Sequence, residues 1–312
     1  MLVWLAPLDG ITNYQFRNCL CRHVGGIDNF IAPFLPVQEH AKLNVKKWKD
    51  LWPQNNACRP MTPQLMGNIP AHFVDTMQEL HDEYGYTSFN WNIGCPVAQV
   101  VRRTRGCGVM PHPEIVEAVV RAVTEQTPFQ FSLKMRLGLH DKSECLAILE
   151  RMQDYPLEYI VIHPRLGEQL YEGVPDLEAF AECLQHTTHR VIYSGDVWTV
   201  ETYRQLQARF PEVQDWMLGR PILCNPFLAE EMKGMDGGDK QERFLRYYQR
   251  YADELLETRK EKSTLFILKE LWHYYASFAG IEATELKTLL RINDFDPFFA
   301  LSLEYLKTTS NS

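Results

Sequence analysis

Phe89-Asn90-Trp91-Asn92-Ile93-Gly94-Cys95-Pro96 sets the organisation of the whole chain. Residues 87–92 favour extended backbone, and Gly94-Cys95-Pro96 then interrupts it. Pro96 has no N–H for a strand ladder, so Cys95 stands at or just beyond the strand end. A cysteine displayed there is where an α/β barrel carries a catalytic group. A buried, inert thiol is the plain alternative for any single cysteine, so the rest of the chain has to decide.

Outward from that stretch, β-rich runs recur at 2–6, 29–32, 62–66, 87–92, 129–136, 159–163, 190–193 and 215–218. Between them lie 14–23, 71–83, 113–125, 143–153, 177–186 and 199–209, where apolar residues return every three or four positions. Eight such units predict a parallel sheet closed into a (β/α)8 TIM barrel. The irregular 33–61 segment reads as an elaborated loop at the active-site face. At Lys233-Gly234-Met235-Asp236-Gly237-Gly238-Asp239 the pattern changes to a linker. Beyond it, 244–256, 263–278, 283–291 and 297–306 read as helices with no strand among them. The domains are therefore 1–235, the barrel, and 236–312, a small all-α domain.

Composition excludes several classes. Of 312 residues, 45% are hydrophobic and 23% charged, as in ordinary soluble globular proteins. No apolar run approaches the roughly 20 residues of a membrane span, and residues 1–8 lack the features of a secretory signal. The eight cysteines show no C-x-x-C pair or zinc-like spacing, so reduced thiols in a cytoplasmic protein without a structural metal are expected. A net charge of −8 argues against a broad nucleic-acid surface and leaves room for a local basic groove.

If the barrel closes, one mouth collects Pro7, Asp9, Gln64, Asn92, Cys95, Lys134, Arg136, His163, Arg165, Ser194, Asp196, Gly219 and Arg220. Each has a bland reading alone; Asp196, for instance, would serve as the cap of the next helix. Together they form a ring of strand ends that is nearly all polar. Ser194-Gly195-Asp196 and Gly219-Arg220-Pro221 follow the last two strands, where such barrels build phosphate sites from loops and a short helix. Arg220 offers a charge-assisted fork, Lys134 a cation for a cofactor ring or its chain, and Gln64 and Asn92 amide edges for a flat heterocycle. FMN fits such a ring, and the spacing admits other phosphate ligands.

These motifs resemble the tRNA-dihydrouridine synthases. The matching segments are Ala6-Pro7-Leu8-Asp9-Gly10-Ile11-Thr12, Gln64-Leu65-Met66-Gly67, Asn92-Ile93-Gly94-Cys95-Pro96, Lys134-Met135-Arg136-Leu137-Gly138, His163-Pro164-Arg165, Ser194-Gly195-Asp196 and Gly219-Arg220-Pro221. They occur in family order, and in length the chain is similar to the compact bacterial members. The resemblance implies NADPH-driven, FMN-dependent reduction of specific uridines to 5,6-dihydrouridine in tRNA. It makes Cys95 the general acid at C5. It assigns FMN contacts to Pro7, Leu8, Asp9, Gln64, Lys134, His163, Ser194, Gly195, Asp196, Gly219 and Arg220. Asn92 and Arg165 are placed near the uracil, residues 236–312 on the RNA, and a monomer is expected.

Departures from the family pattern are Asn90 for an acidic residue, Ser194 for Asn, Pro164 for Gly, and Val97-Ala98-Gln99 without the usual basic residue. Candidate RNA contacts are Lys42, Lys46, Lys47, Lys49, Arg102 to Arg105, Lys260, Lys262 and Lys269, with Trp272, Tyr274 and Tyr275 close by. Those aromatics read mostly as helical core. Two alternatives stand beside the leading reading: an FMN barrel reducing a small pyrimidine or enone, and an RNA-binding relative without catalysis.

Overall fold

The structure is a computed structural model that describes residues 1–37, 46–57 and 60–308, without the side chains of 46, 47 and 308. Lys42 and Cys58 lie outside the described residues, as do the side chains of Lys46 and Lys47. The strands are β1 (Leu2–Leu5), β2 (Asn29–Ile31), β3 (Leu35–Pro36), β4 (Met61–Thr62), β5 (Gln64–Met66), β6 (Ser88–Ile93), β7 (Gln130–Gly138), β8 (Leu157–Leu166), β9 (Val191–Tyr193) and β10 (Asp215–Leu218). The helices are α1 (Tyr14–His23), α2 (Pro70–Tyr84), α3 (Ala98–Val101), α4 (Pro113–Gln126), α5 (Ser143–Met152), α6 (Leu177–Gln185), α7 (Val200–Arg209), α8 (Arg220–Cys224), α9 (Leu228–Lys233), α10 (Lys240–Leu256), α11 (Glu261–Phe278), α12 (Ala283–Leu290) and α13 (Phe295–Thr308).

All strand pairs are parallel, in the order β3-β5-β6-β7-β8-β9-β10-β1-β2-β4. β4, at one end of that order, runs on in the chain into β5, which lies next to the other end. β4 and β5 are one strand broken at Pro63: its first half pairs with β2, its second with β6, and the Pro63 carbonyl accepts from the Asn90 N–H at 3.0 Å. The broken strand closes the (β/α)8 barrel. The sequence predicts a single run here; proline, which cannot donate to the ladder, splits it. The 33–61 segment also contains β3 and two short 3-10 turns, Lys46–Leu51 and Pro53–Asn55.

Period-two alternation sorts the barrel side chains. On β7, Phe131, Leu133 and Met135 join the large core beneath the helices, whereas Ser132, Lys134 and Arg136 alternate with them and face inward. One part of the barrel interior is apolar, a separate cluster of Trp4, Ala6, Ile31, Tyr159, Val161, Ile192 and Met217. The remainder, on β5 to β7, is polar. That asymmetry leaves one side of the barrel with hydrogen-bonding groups that must satisfy one another.

The C-terminal helices form an all-α layer that packs against both α1 and α8. α10 buries Phe244, Tyr247, Tyr248, Tyr251 and Leu255, a helical stripe at three- and four-residue intervals. Phe16 of α1 meets the edges of Tyr247 and Tyr251, with ring centroids 6.0 and 5.8 Å apart. Arg243 reaches from α10 to the Glu230 carboxylate of α9 and to the His23 carbonyl. One apolar core runs through barrel and helices, so the helical segment is joined to the barrel by buried contact as well as by the 234–239 linker. Trp272 and Tyr275 are buried, with Trp272 donating to Tyr248 at 2.9 Å and Tyr275 sharing a 2.8 Å hydrogen bond with Tyr247.

One sequence expectation is corrected. Cys21 is disulfide-bonded rather than reduced, while Cys19, Cys95, Cys107, Cys145, Cys183 and Cys224 are free thiols. Spacing along the chain does not report which cysteines the fold brings together. No helix among the described residues is long and apolar enough to cross a membrane, and no His/Cys/Asp/Glu cluster among them has a metal-binding arrangement.

Candidate functional site

A cleft opens at the C-terminal ends of the strands. It is lined by Ala6, Pro7, Leu8, Lys134, His163, Tyr171, Ser194, Gly195, Asp196, Met217, Gly219, Arg220 and Pro221. The sequence-derived cofactor residues therefore gather here, apart from Asp9 and Gln64. Asp9 is exposed on the adjoining turn, whereas Gln64 is wholly buried in the barrel. Asp196 does not cap a helix: Thr199 does that for α7, accepting from the Thr202 N–H at 3.1 Å.

The electrostatics of the cleft are dominated by cations. Arg165, 1% exposed, forks onto Asp196 with contacts of 2.9 and 2.6 Å. Its remaining N–H groups go to the carbonyls of Glu172 and Gly173 and to His163 Nε2 at 3.2 Å, so all five donors are engaged. Arg220 donates to the same Asp196 at 3.1 Å, and its guanidinium lies 4.3 Å from the Tyr171 ring centroid and 5.3 Å from that of Trp198. Among the described residues, Arg136 donates only to backbone carbonyls, those of Gly94, Leu166 and Leu170. Lys134 has no hydrogen-bond or ion-pair partner among the described residues.

Asp196 thus answers Arg165 and Arg220, and among the described residues no carboxylate answers Lys134 or Arg136. Burial, reinforced by Arg136, lowers the Lys134 ammonium from its ordinary value to about 8. Burial and then Arg136, Lys134, Arg165 and Arg220 hold the His163 imidazole well below its usual range, hence neutral near pH 7. Burial pushes the Asp196 carboxyl up, but the Arg165 fork and the Arg220 charge outweigh it and keep the group ionised. A cleft with two uncompensated cations, the Ser194 hydroxyl, and flat apolar walls at Ala6, Pro7 and Met217 fits an anionic, ring-bearing group such as FMN.

Cys95 stands beside this cleft on a clamped turn. Its backbone N–H and that of Gly94 both donate to Asn92 Oδ1 at 3.0 Å. From the outer side, the Cys107 N–H donates to the Cys95 carbonyl at 2.9 Å. Gly106 makes that approach possible: at φ +54°, a Cβ there would lie 2.5 Å from the Cys95 oxygen. The thiol is half-buried, and burial raises its pKa, only partly offset by the Val97 backbone N–H, Arg136 and Lys134. It is a protonated thiol at neutral pH.

Asn92 donates to Gln64 Oε1 at 2.9 Å, and Gln64 donates to Asn90 Oδ1 at 2.7 Å. Asn90 therefore presents the acceptor oxygen that an acidic residue would present at this position. Arg102 and Arg103 are exposed; Arg105 is half-buried. Tyr171 and Trp198 were not read from the sequence, since loop aromatics carry no periodicity; Met217 was legible in principle, as the inward position of β10.

The family model described as dihydrouridine synthase matches residues 4–293. The chain is 28% identical over 250 residues to a tRNA-dihydrouridine(16) synthase of Aquipseudomonas alcaligenes, covering 78% of each chain. It is 26% identical over 304 residues to one of Cupriavidus necator, covering 93% of this chain and 92% of the relative. A tRNA-dihydrouridine synthase B of Vibrio cholerae is 24% identical over 235 residues, with 73% and 70% covered. Among solved structures, a morphinone reductase variant in complex with tetrahydroNAD superposes with a TM-score of 0.51 at 12% identity, covering 74% of this chain and 86% of that one. That likeness concerns the barrel fold alone. With the motifs ordered around one barrel mouth and the family model spanning nearly its full length, the chain belongs to the dihydrouridine synthase family.

Proposed function

We propose that this protein reduces a uridine of tRNA to 5,6-dihydrouridine, with FMN held in the cationic cleft and NADPH as reductant. The observation that carries the reading is the juxtaposition, at one barrel mouth, of uncompensated cations and a protonated thiol on a fixed turn. When bound, the flavin supplies the hydride for C6 of the uracil. Lys134, Ser194 and Arg220 would hold the cofactor's anionic and polar groups, and Pro7, Leu8 and Met217 would line the site beside it. Cys95 holds the proton destined for C5, which burial keeps on the sulfur at neutral pH.

A base inside a helical stack cannot reach this cleft, so the uridine is taken out of its stack. Asn92 leaves one N–H without a partner among the described residues and offers it to the base edge. Arg165 acts by holding His163, Asp196 and the 172–173 backbone in place, since its donors are all used. Residues 236–312 serve as the RNA-binding part of the protein, with Lys260 and Lys262 exposed on it. The relatives named for position 16, including the one matched over most of its length, support that uridine as the target. A cytoplasmic monomer completes the reading.

The test is nucleoside mass analysis of transfer and ribosomal RNA with and without the gene, with purified protein, FMN, NADPH and unmodified tRNA run in parallel. Loss of dihydrouridine from position 16 of tRNA in the cell, and its formation in the tube, are expected. Absence of product in both overturns the proposal; reduction of free pyrimidines or enones alone replaces it with the small-molecule reading.

A further inference from the structure

The polar side of the barrel interior contains a directed chain of hydrogen bonds. Cys95 N–H donates to Asn92, Asn92 to Gln64 at 2.9 Å, Gln64 to Asn90 at 2.7 Å, Asn90 to Ser132 Oγ at 2.9 Å, and Ser132 to the Phe89 carbonyl at 3.1 Å. Gln64, Asn90 and Ser132 are all 0% exposed. Strand register makes them level neighbours, Gln64 with Asn90 and Asn90 with Ser132. The first group in the chain is a backbone N–H, which only donates, and the last is a backbone carbonyl, which only accepts. Those two ends dictate which way every amide between them points.

We propose that Asn90, anchored by Ser132, is a positioning residue for Cys95: through Gln64 and Asn92 it fixes the turn that aims the thiol. This rests on the proposed role of Cys95 as proton donor, but its structural content does not need RNA. If Asn90 loses its acceptor oxygen, the Gln64 amide is no longer held in one orientation. A flipped Gln64 presents N–H groups to the Asn92 N–H₂, and donor faces donor. Asn92 must then turn, releasing the Gly94 and Cys95 amides. Links in such a chain polarise one another, so a break at its far end is felt at the near one.

The experiment measures alkylation of Cys95 by iodoacetamide in the full-length protein, followed by peptide mass, with half-buried Cys224 as internal reference. Asn90→Leu is expected to speed Cys95 modification at least five-fold with Cys224 unchanged. Asn90→Asp keeps the oxygen facing Gln64 and stays within two-fold of wild type. Ser132→Ala, which removes only the anchor, falls between. In turnover with tRNA, Asn90→Leu lowers kcat at least ten-fold while KM for the RNA holds. Equal Cys95 rates in wild type, Asn90→Leu and Ser132→Ala overturn the proposal, as does a parallel rise at Cys95 and Cys224, which marks general loosening. Should Asn90→Leu not fold, Ser132→Ala decides alone. Because alkylation needs neither tRNA nor NADPH, failure of the RNA-reductase reading leaves this result standing on its own.

Discussion

The two polar regions of the barrel mouth are built on different physics. On one side, Asp196 pairs with Arg165 and Arg220, while Lys134 and Arg136 have no carboxylate partner among the described residues. On the other, Ser132, Asn90, Gln64 and Asn92 are neutral and answer one another link by link. The first arrangement attracts a ligand of opposite charge. The second holds a backbone turn in one place. A charged network at the second position would bring its own field to the Cys95 thiol; a neutral one at the first would have nothing to hold a phosphate.

The largest effect that separates them is Cys95→Ala. Product in tRNA is expected to fall by about 10²–10⁴-fold, the usual contribution of a positioned acid, with FMN content unchanged, as read by nucleoside mass and flavin absorbance. Retained turnover breaks the assignment of the thiol. Arg220→Ala comes next. It removes a charged donor from the cleft, and FMN retention on dialysis is expected to weaken about ten- to a hundred-fold, equivalent to about 1.5–3 kcal/mol. Cys95 alkylation stays at the wild-type rate.

A smaller effect concerns pH. Folding lowers the Lys134 pKa to about 8. From there up to the ordinary lysine value the unfolded chain carries a proton that the folded, ligand-free protein does not, and this one group makes stability rise with pH. Anion binding favours the protonated amine, so FMN affinity measured by flavin fluorescence is expected to fall as pH rises past about 8. Lys134→Met should bind more weakly and lose that slope; an unaltered slope removes Lys134 from the cofactor. The smallest is Trp198→Leu, which removes one of the two aromatic rings near the Arg220 guanidinium. A loss of about 0.5–1 kcal/mol in FMN binding, roughly two- to five-fold, is expected by titration.

Much of this was legible because the signals were periodic or punctuated. The eight β-rich runs and the four tail helices all correspond to elements of the fold, although β8 continues through Pro164 to Leu166 instead of stopping at His163. The sequence reads 62–66 as one run; the split at Pro63, and the pairing of its halves with β2 and β6, depend on barrel closure, which is not local. The cleft residues were legible as strand ends. Their hydrogen-bond partners were not: nothing in the spacing says that all five Arg165 donors are spent, that Gln64 is buried behind Asn92, or that Tyr171 and Trp198 flank Arg220. Such facts arise where loops distant in sequence meet in space. The disulfide at Cys21 escaped for the same reason.

The most direct test sets Cys95→Ala beside Arg220→Ala in the two half-reactions, using rapid mixing with flavin absorbance as the signal. For Cys95→Ala, bleaching by NADPH is expected at the wild-type rate and recovery on adding tRNA at least a hundred-fold slower. For Arg220→Ala reconstituted with excess FMN, recovery by tRNA is expected to stay near wild type, with the defect confined to FMN affinity. If both variants lose both half-reactions together, or Cys95→Ala recovers at the wild-type rate, the division of the mouth into a charged cofactor side and a neutral aiming side is contradicted.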